Sequence, residues 1–230
     1  MVNDRIRQPR QDRSQDTMTR ILDAFEGLLR SRPYAQLMIN DIAREAKTGA
    51  GSIYARFRDK RSILLAVQDR LRNRARDYFV ELYDPARWAD SSLEKALERV
   101  VRGNLAWHRQ HRNIIKSSLL MDDNDILEAI SNAFAPMNLK FALLFRHHMP
   151  DLTKAGASDA AAKFLRMMMA IFHQMVIFGD IAATGHDLSD NELVRALVLS
   201  ALAQVPSLAP TRGKAAARQR SPVRGRSRAG

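Results

Sequence analysis

Residues 38–60 read M-I-N-D-I-A-R-E-A-K-T-G-A-G-S-I-Y-A-R-F-R-D-K, two short apolar periods in succession. Ile39, Ile42, Ala43 and Ala46 fall at i, i+3, i+4 and i+7, the apolar face of a short helix, with Asp41, Arg44 and Glu45 outside it. The period breaks at Lys47-Thr48-Gly49, where Gly49 is expected to supply the turn conformation that other residues resist. A second short helix follows, anchored by Ile53 and Phe57, with Ser52, Tyr54, Ala55, Arg56 and Arg58 facing outward. Two short helices on a glycine-containing turn make a helix-turn-helix.

Such a pair suits duplex DNA. The first helix crosses the sugar-phosphate backbone and the second enters the major groove. Arg56 can grip a guanine edge or a phosphate, and Ser52 and Tyr54 can donate to phosphate oxygens. The chain here resembles the tetracycline-repressor (TetR) family over about residues 15–75. The resemblance is carried by T-R-I-L-D-A-F (19–25), Tyr34, D-I-A-R-E-A (41–46), G-S-I-Y-A-R-F (51–57) and Lys60-x-x-Ile63-Leu64. It departs from the family at Met38, where a capping Thr is usual, and at Lys47-Thr48-Gly49, where Gly-Val-Ser is usual. Methionine accepts no capping bond, so the cap falls to Asn40 or to a shifted helix start. The residues expected at DNA are Lys47, Thr48, Gly51, Ser52, Tyr54, Arg56 and Lys60.

The chain has 230 residues, 46% of them hydrophobic and 7% aromatic, enough for a sizeable core. It has no cysteine, which excludes disulfides and cysteine-bound zinc and fits a reducing cytoplasm. No 18 apolar residues run uninterrupted and the start is Arg- and Asp-rich, so neither a membrane span nor a secretion signal is expected. The net charge of +12 is unevenly spread: Lys/Arg against Asp/Glu is 17 to 9 over residues 1–76, 13 to 16 over 77–204, and 7 to none over 205–230. Basic ends around a slightly acidic middle suggest nucleic acid at the ends and another partner between.

Residues 1–13 form a flexible basic leader, either solvated or lying along DNA. A first helix is predicted from Ser14 to Arg30 on the stripe Ile21, Leu22, Phe25, Leu28 and Leu29, ending at Pro33. Asp59 caps a helix from Lys60 to about Tyr83, on which Arg70, Arg72, Arg74 and Arg76 read as a solvated basic face. The domains expected are 14–60 for DNA, with the motif at 38–57, then a helical ligand-binding and dimerisation domain at 61–204, and a disordered basic tail at 205–230.

Ser91-x-x-Glu94 reads as a capping box. The stripe behind it carries Leu93, Leu97 and Val100, then Asn104, His108 and His111. Three polar groups on a buried stripe signal either a cavity or hydrogen-bonded core residues. A metal pair at His108 and His111 lacks acidic company. A short helix spans 112–121, and another, opened by Asp125-x-x-Glu128, runs to His148 with Pro136 at a predicted kink. Residues 158–181 are apolar most of the way round, and Ser189-x-x-Glu192 opens a last helix of the same kind with Leu197 on it. These two helices are expected at a subunit interface, and the family resemblance implies the same: a homodimer through a four-helix bundle. The expected ligand contacts are Asn104, His108, His111, Phe134, Met137, Phe141, Met168, Phe172 and Met175, with Met167 beside them.

Gly49-Ala-Gly51 is followed by Tyr54 where a dinucleotide loop needs glycine, and phosphate-loop, metalloprotease and nucleophile-elbow motifs are absent. Strand signals are absent too. The sequence therefore predicts an all-α, non-enzymatic regulator without cofactor or metal. The resemblance implies a repressor released from a palindromic operator by a mainly hydrophobic small molecule. An effector-independent architectural DNA-binding protein is the alternative reading.

Overall fold

The helices start and stop where backbone polar groups can be satisfied. In the computed structural model, residues 8–121, 124–179 and 188–204 are described. Side chains are placed from Ser14 onward and, along 124–135, only at Glu128 and Asn132. Among the described residues there are nine α-helices and two short 3-10 turns, and no strand. The helices are α1 (Gln8–Ser31), α2 (Ile39–Glu45), α3 (Ala50–Tyr54), α4 (Lys60–Leu82), α5 (Leu93–Gln110), α6 (Arg112–Leu119), α7 (Asn124–His148), α8 (Lys154–Phe178) and α9 (Asp190–Gln204). The chain is all-α.

Two helix starts follow their sequence signals. Asp59 accepts the Ser62 N–H at 2.7 Å, and the Ser62 hydroxyl faces the Asp59 N–H at 3.1 Å, closing the cap of α4. At α9 the Ser189 hydroxyl accepts the Glu192 N–H while the Glu192 carboxylate accepts the Ser189 N–H at 2.9 Å. At α2, Met38 is the N-cap, and Asp41 accepts its N–H at 3.0 Å. Neither Asn40 nor a shifted start is needed.

Two boundaries differ from expectation. Helix α1 reaches back to Gln8, the first described residue, rather than starting at Ser14, since Gln and Arg are good helix formers. Helix α5 is capped by Ser92, which accepts the Lys95 N–H, not by Ser91, whose hydroxyl is spent on the Trp88 carbonyl at 2.8 Å. Helix α7 continues through Pro136. The expected cap at Asp125 and the basic tail lie outside the described residues, as do the leader's side chains and residues 1–7.

The buried residues form two cores. One gathers Ile21, Phe25 and Leu29 of α1, Ile42 of α2, Ile53, Phe57, and α4 as far as Leu71, with Ile114 arriving from α6. The other starts at Ala75 of α4 and joins α5, α7, α8 and α9, with Phe79, Tyr83, Phe141, Phe164 and Phe172 inside. The two cores meet within α4, between Leu71 and Ala75, because one uninterrupted helix feeds its apolar stripe into both. Helix α5 crosses α4 closely: a Cβ at Gly103 would lie 2.8 Å from Leu82 Cδ2. Helix α8 is long and apolar enough to cross a membrane, yet Ala157, Ala161, Phe164, Met168 and Phe172 on it are buried in the second core.

Candidate nucleic-acid interface and regulatory cavity

The α2–α3 corner is closed by a helix C-cap that the sequence conceals. Thr48 N–H donates to the Ala43 carbonyl at 2.9 Å and Lys47 N–H to the Arg44 carbonyl at 3.2 Å, the Schellman pairing. That pairing demands a left-handed residue at the position after the C-cap, and Lys47 takes it with φ 51°. Gly49 is instead extended, φ −84° and ψ 152°, and is the N-cap of α3. The turn residue is Lys47, which lacks the glycine signature, so the expectation for Gly49 is corrected.

From this corner α3 presents one side chain prominently. Tyr54 is 57% exposed, while Ile53 and Phe57 on the opposite face are buried in the first core. Lys47 and Gly51 are exposed beside it, and Thr48, Ser52 and Arg56 are half-buried. Arg56 is already engaged: Nη1 donates to the Ser52 carbonyl at 2.9 Å, Nε to the Ser14 carbonyl at 3.4 Å and Nη2 to Ser14 Oγ at 3.3 Å. It ties the α3 end to α1.

Lys60 is engaged more firmly. Its Nζ donates to the carbonyls of Tyr34 at 3.0 Å and Leu37 at 2.8 Å and sits 4.2 Å from the Tyr34 ring centroid. Burial holds its pKa below the usual lysine value. Lys60 therefore locks the first turn of α4 to the segment ahead of α2. Further along α4, Arg70 reaches Asp23 at 2.6 Å and Arg74 reaches the buried Glu26 at 2.7 Å, both on α1. The basic face read as solvated is in part a clamp between α4 and α1.

The middle of α4 also walls a cavity. Gln68, Leu71, Arg72 and Ala75 form one side; Trp107, His108, Ile115, Ser118, Leu119, Met137 and His173 form the rest, around about 70 Å³. Gln68 is 2% exposed, and neither its Nε2 nor its Oε1 has a hydrogen-bond partner. His108 is shared with a second, more open cleft of about 160 Å³ bounded by Arg109, Arg112, Phe172, Met175 and Gly179. Among the described residues, no group of three or more His, Cys, Asp or Glu could hold a metal.

Residues 21–67 match the model of the bacterial regulatory proteins of the tetR family, a span that covers the α2–α3 corner and reaches α4. The chain carries a tetR-family DNA-binding segment. Its fold is shared with a tetR-family regulator of Mesorhizobium loti (17% identity, 84% of this chain and 96% of that one, TM-score 0.62) and one of Streptomyces coelicolor (18%, 84% and 80%, 0.57). It is also shared with the fatty acid degradation regulator FadR of Bacillus halodurans (13%, 84% and 96%, 0.54). No curated protein matches.

His108 and Met137 line the α4 cavity, and His108, Phe172 and Met175 line the second cleft. Four expected contacts line neither. Asn104 is fully buried and spent: its Oδ1 accepts the Tyr83 hydroxyl at 2.9 Å, and its Nδ2 donates to the Val100 carbonyl at 2.8 Å. His111 Nδ1 donates to the Trp107 carbonyl at 2.9 Å, and its ring packs 4.2 Å from the Trp107 ring. Phe141 and Met168 are core residues. Met167 is 40% exposed and lines neither, and the Phe134 side chain lies outside the described residues. Gln68, Trp107 and His173 line the α4 cavity without having been expected there. Gln68 had a signal, a lone amide between Val67 and Leu71 on the apolar stripe of α4.

His108 is held neutral. Burial pushes its pKa down to about 4, against a weaker opposing effect from the bond between Nδ1 and the Asn104 carbonyl at 2.8 Å. Since a carbonyl only accepts, the proton sits on Nδ1 and Nε2 is left as an acceptor. The unfolded ring takes a proton near its ordinary value, so this group's contribution is complete above about pH 6.5 and is lost as pH falls through about 4. The loss is about 3 kcal/mol. His111 and His173 are shifted down by burial as well and act in the same direction. Denaturant unfolding between pH 7 and 4 should show the wild-type slope flattened in His108→Leu. An unchanged slope would contradict the buried neutral ring.

Proposed function

We propose that the protein is a cytoplasmic, homodimeric repressor whose α3 helices enter successive major grooves of a palindromic operator, and that a small, mainly hydrophobic effector lodged against α4 releases it. The supporting observation is the double attachment of α4. Its first turn is bound through Lys60 to the segment leading into the helix-turn-helix, and its middle is one wall of the cavity. An effector that fills the cavity presses on α4, and α4 carries that displacement to the DNA module. In this reading Lys47, Thr48, Gly51, Ser52, Tyr54 and Arg56 meet DNA, with Arg56 exchanging its bonds to Ser14 for bonds to DNA. Lys60 acts from behind, as a brace.

The dimer face is the outer surface of α8 and α9, where Met167 (40% exposed) and Leu199 (55%) are uncovered. For release, an effector must prefer the DNA-incompetent state by about 2.8 kcal/mol to weaken binding a hundredfold.

Ala75→Met tests the coupling without any effector. The added side chain grows from α4 into the cavity, and overpacking of this size costs about 1–3 kcal/mol. Fluorescence anisotropy should show operator affinity falling about tenfold or more while circular dichroism retains the helical signal. Full operator affinity in a folded Ala75→Met protein would separate the cavity from DNA binding.

A further inference from the structure

The Gln68 carboxamide is the strongest unexplained feature of the molecule. It is buried, lines the α4 cavity, and has no partner at either of its polar atoms. Both polar atoms are shut off even from the cavity space, so an occupant meets them once the Gln68 side chain turns toward it, which gives an otherwise uncompensated amide its partners. Its N–H and C=O point the same way from one planar group, so it matches a molecule offering an acceptor and a donor side by side.

The rest of the wall restricts the choice further. Leu71, Ala75, Ile115 and Met137 are apolar, and Trp107 is held as a flat face by stacking on Tyr78 at 5.0 Å between ring centroids. The cation in the wall, Arg72, is paired with Asp69 at 3.0 Å. His108 offers Nε2 as an acceptor, because Nδ1 is committed to the Asn104 carbonyl. A buried carboxylate would find no unengaged cation among the described lining residues, and burying an unpaired charge is costly. At about 70 Å³, against about 10–15 Å³ for one water, the space begins to fit a single ring.

We infer that the cavity selects an uncharged molecule with a carbonyl and an N–H on one edge, a primary amide or lactam on an apolar ring, paired edge to edge with Gln68. This rests on the cavity being the effector site and adds the chemical class of the effector.

The test titrates the full chain with benzamide, benzoate and toluene, following the Trp107 indole N–H signal in nitrogen-15 NMR. Trp88 serves as the internal control, since its Nε1 is bonded to the Leu82 carbonyl at 2.8 Å, away from the cavity. Benzamide should move the Trp107 signal and leave Trp88 unmoved, with benzoate at least about tenfold weaker. Gln68→Met, of similar volume, should bind benzamide about tenfold or more weakly and toluene no worse than before. Toluene equal to benzamide in the wild type, benzoate equal to benzamide, or benzamide affinity retained in Gln68→Met would each overturn the class while leaving the cavity as a ligand site. No response of Trp107 to either benzamide or toluene would overturn the cavity reading and the class together.

Discussion

Tyr54→Ala and Arg56→Ala each weaken binding to the selected operator by about 1–3 kcal/mol, roughly 5- to 150-fold, with helical content unchanged. Tyr54 is mostly exposed on α3 and packs into neither core, so its removal leaves the fold alone. Arg56 differs, because its guanidinium joins α3 to Ser14 of α1 in the free protein. Losing that tie costs little, since these exposed bonds are long. The effect of Arg56→Ala on operator and on random duplexes separates two roles. A loss confined to the operator, with relaxed preference at one base pair, assigns Arg56 to a base. An equal loss on both assigns it to phosphate. Operator affinity untouched by either substitution would remove α3 from the interface.

Leu197→Glu and Leu199→Glu give opposite outcomes although they stand two residues apart on α9. Leu197 is 2% exposed and belongs to the second core of its own chain, so the sequence expectation that it lies at the subunit interface is corrected. A carboxylate there has no partner, and the cost of several kcal/mol is comparable with a whole domain's stability. Leu197→Glu should therefore be insoluble or unfolded. Leu199 is 55% exposed on the far side of the same helix. Leu199→Glu should give a folded, soluble monomer by sedimentation, with operator affinity sharply reduced because two half-sites are no longer read together. A dimer that survives Leu199→Glu would place the interface elsewhere.

The helix-turn-helix was legible because its signals are local. Ile42, Ile53 and Phe57 repeat at helical spacing, Asp59 and Ser189 announce their caps, and the motif order sets the register. What failed depended on geometry that spacing does not encode. Lys47 adopts the left-handed conformation because the Schellman bonds of α2 require it there, and nothing in a lysine reports that. Periodicity placed Asn104 on a buried face correctly, but Tyr83 and Val100, which satisfy it, arrive from outside any local pattern or from the helix's own backbone.

The arginines of α4 show the same limit. Arg70 and Arg74 look solvated until α1 brings Asp23 and Glu26 against them, 47 and 48 positions away in the chain. An apolar helix face is likewise one pattern whether a core or a second subunit covers it, which is why Leu197 and Leu199 could not be told apart.

Selection of bound duplexes from a random library by the full chain addresses sequence-specific control of DNA most directly. Enrichment should converge on two inverted half-sites whose centres are one helical turn apart, about 10 base pairs, or a multiple of that spacing. The same library passed over Tyr54→Ala should lose that enrichment. Wild-type protein that retains DNA but enriches no sequence, with affinity set by salt alone, would contradict the account and describe a protein that coats DNA without reading it.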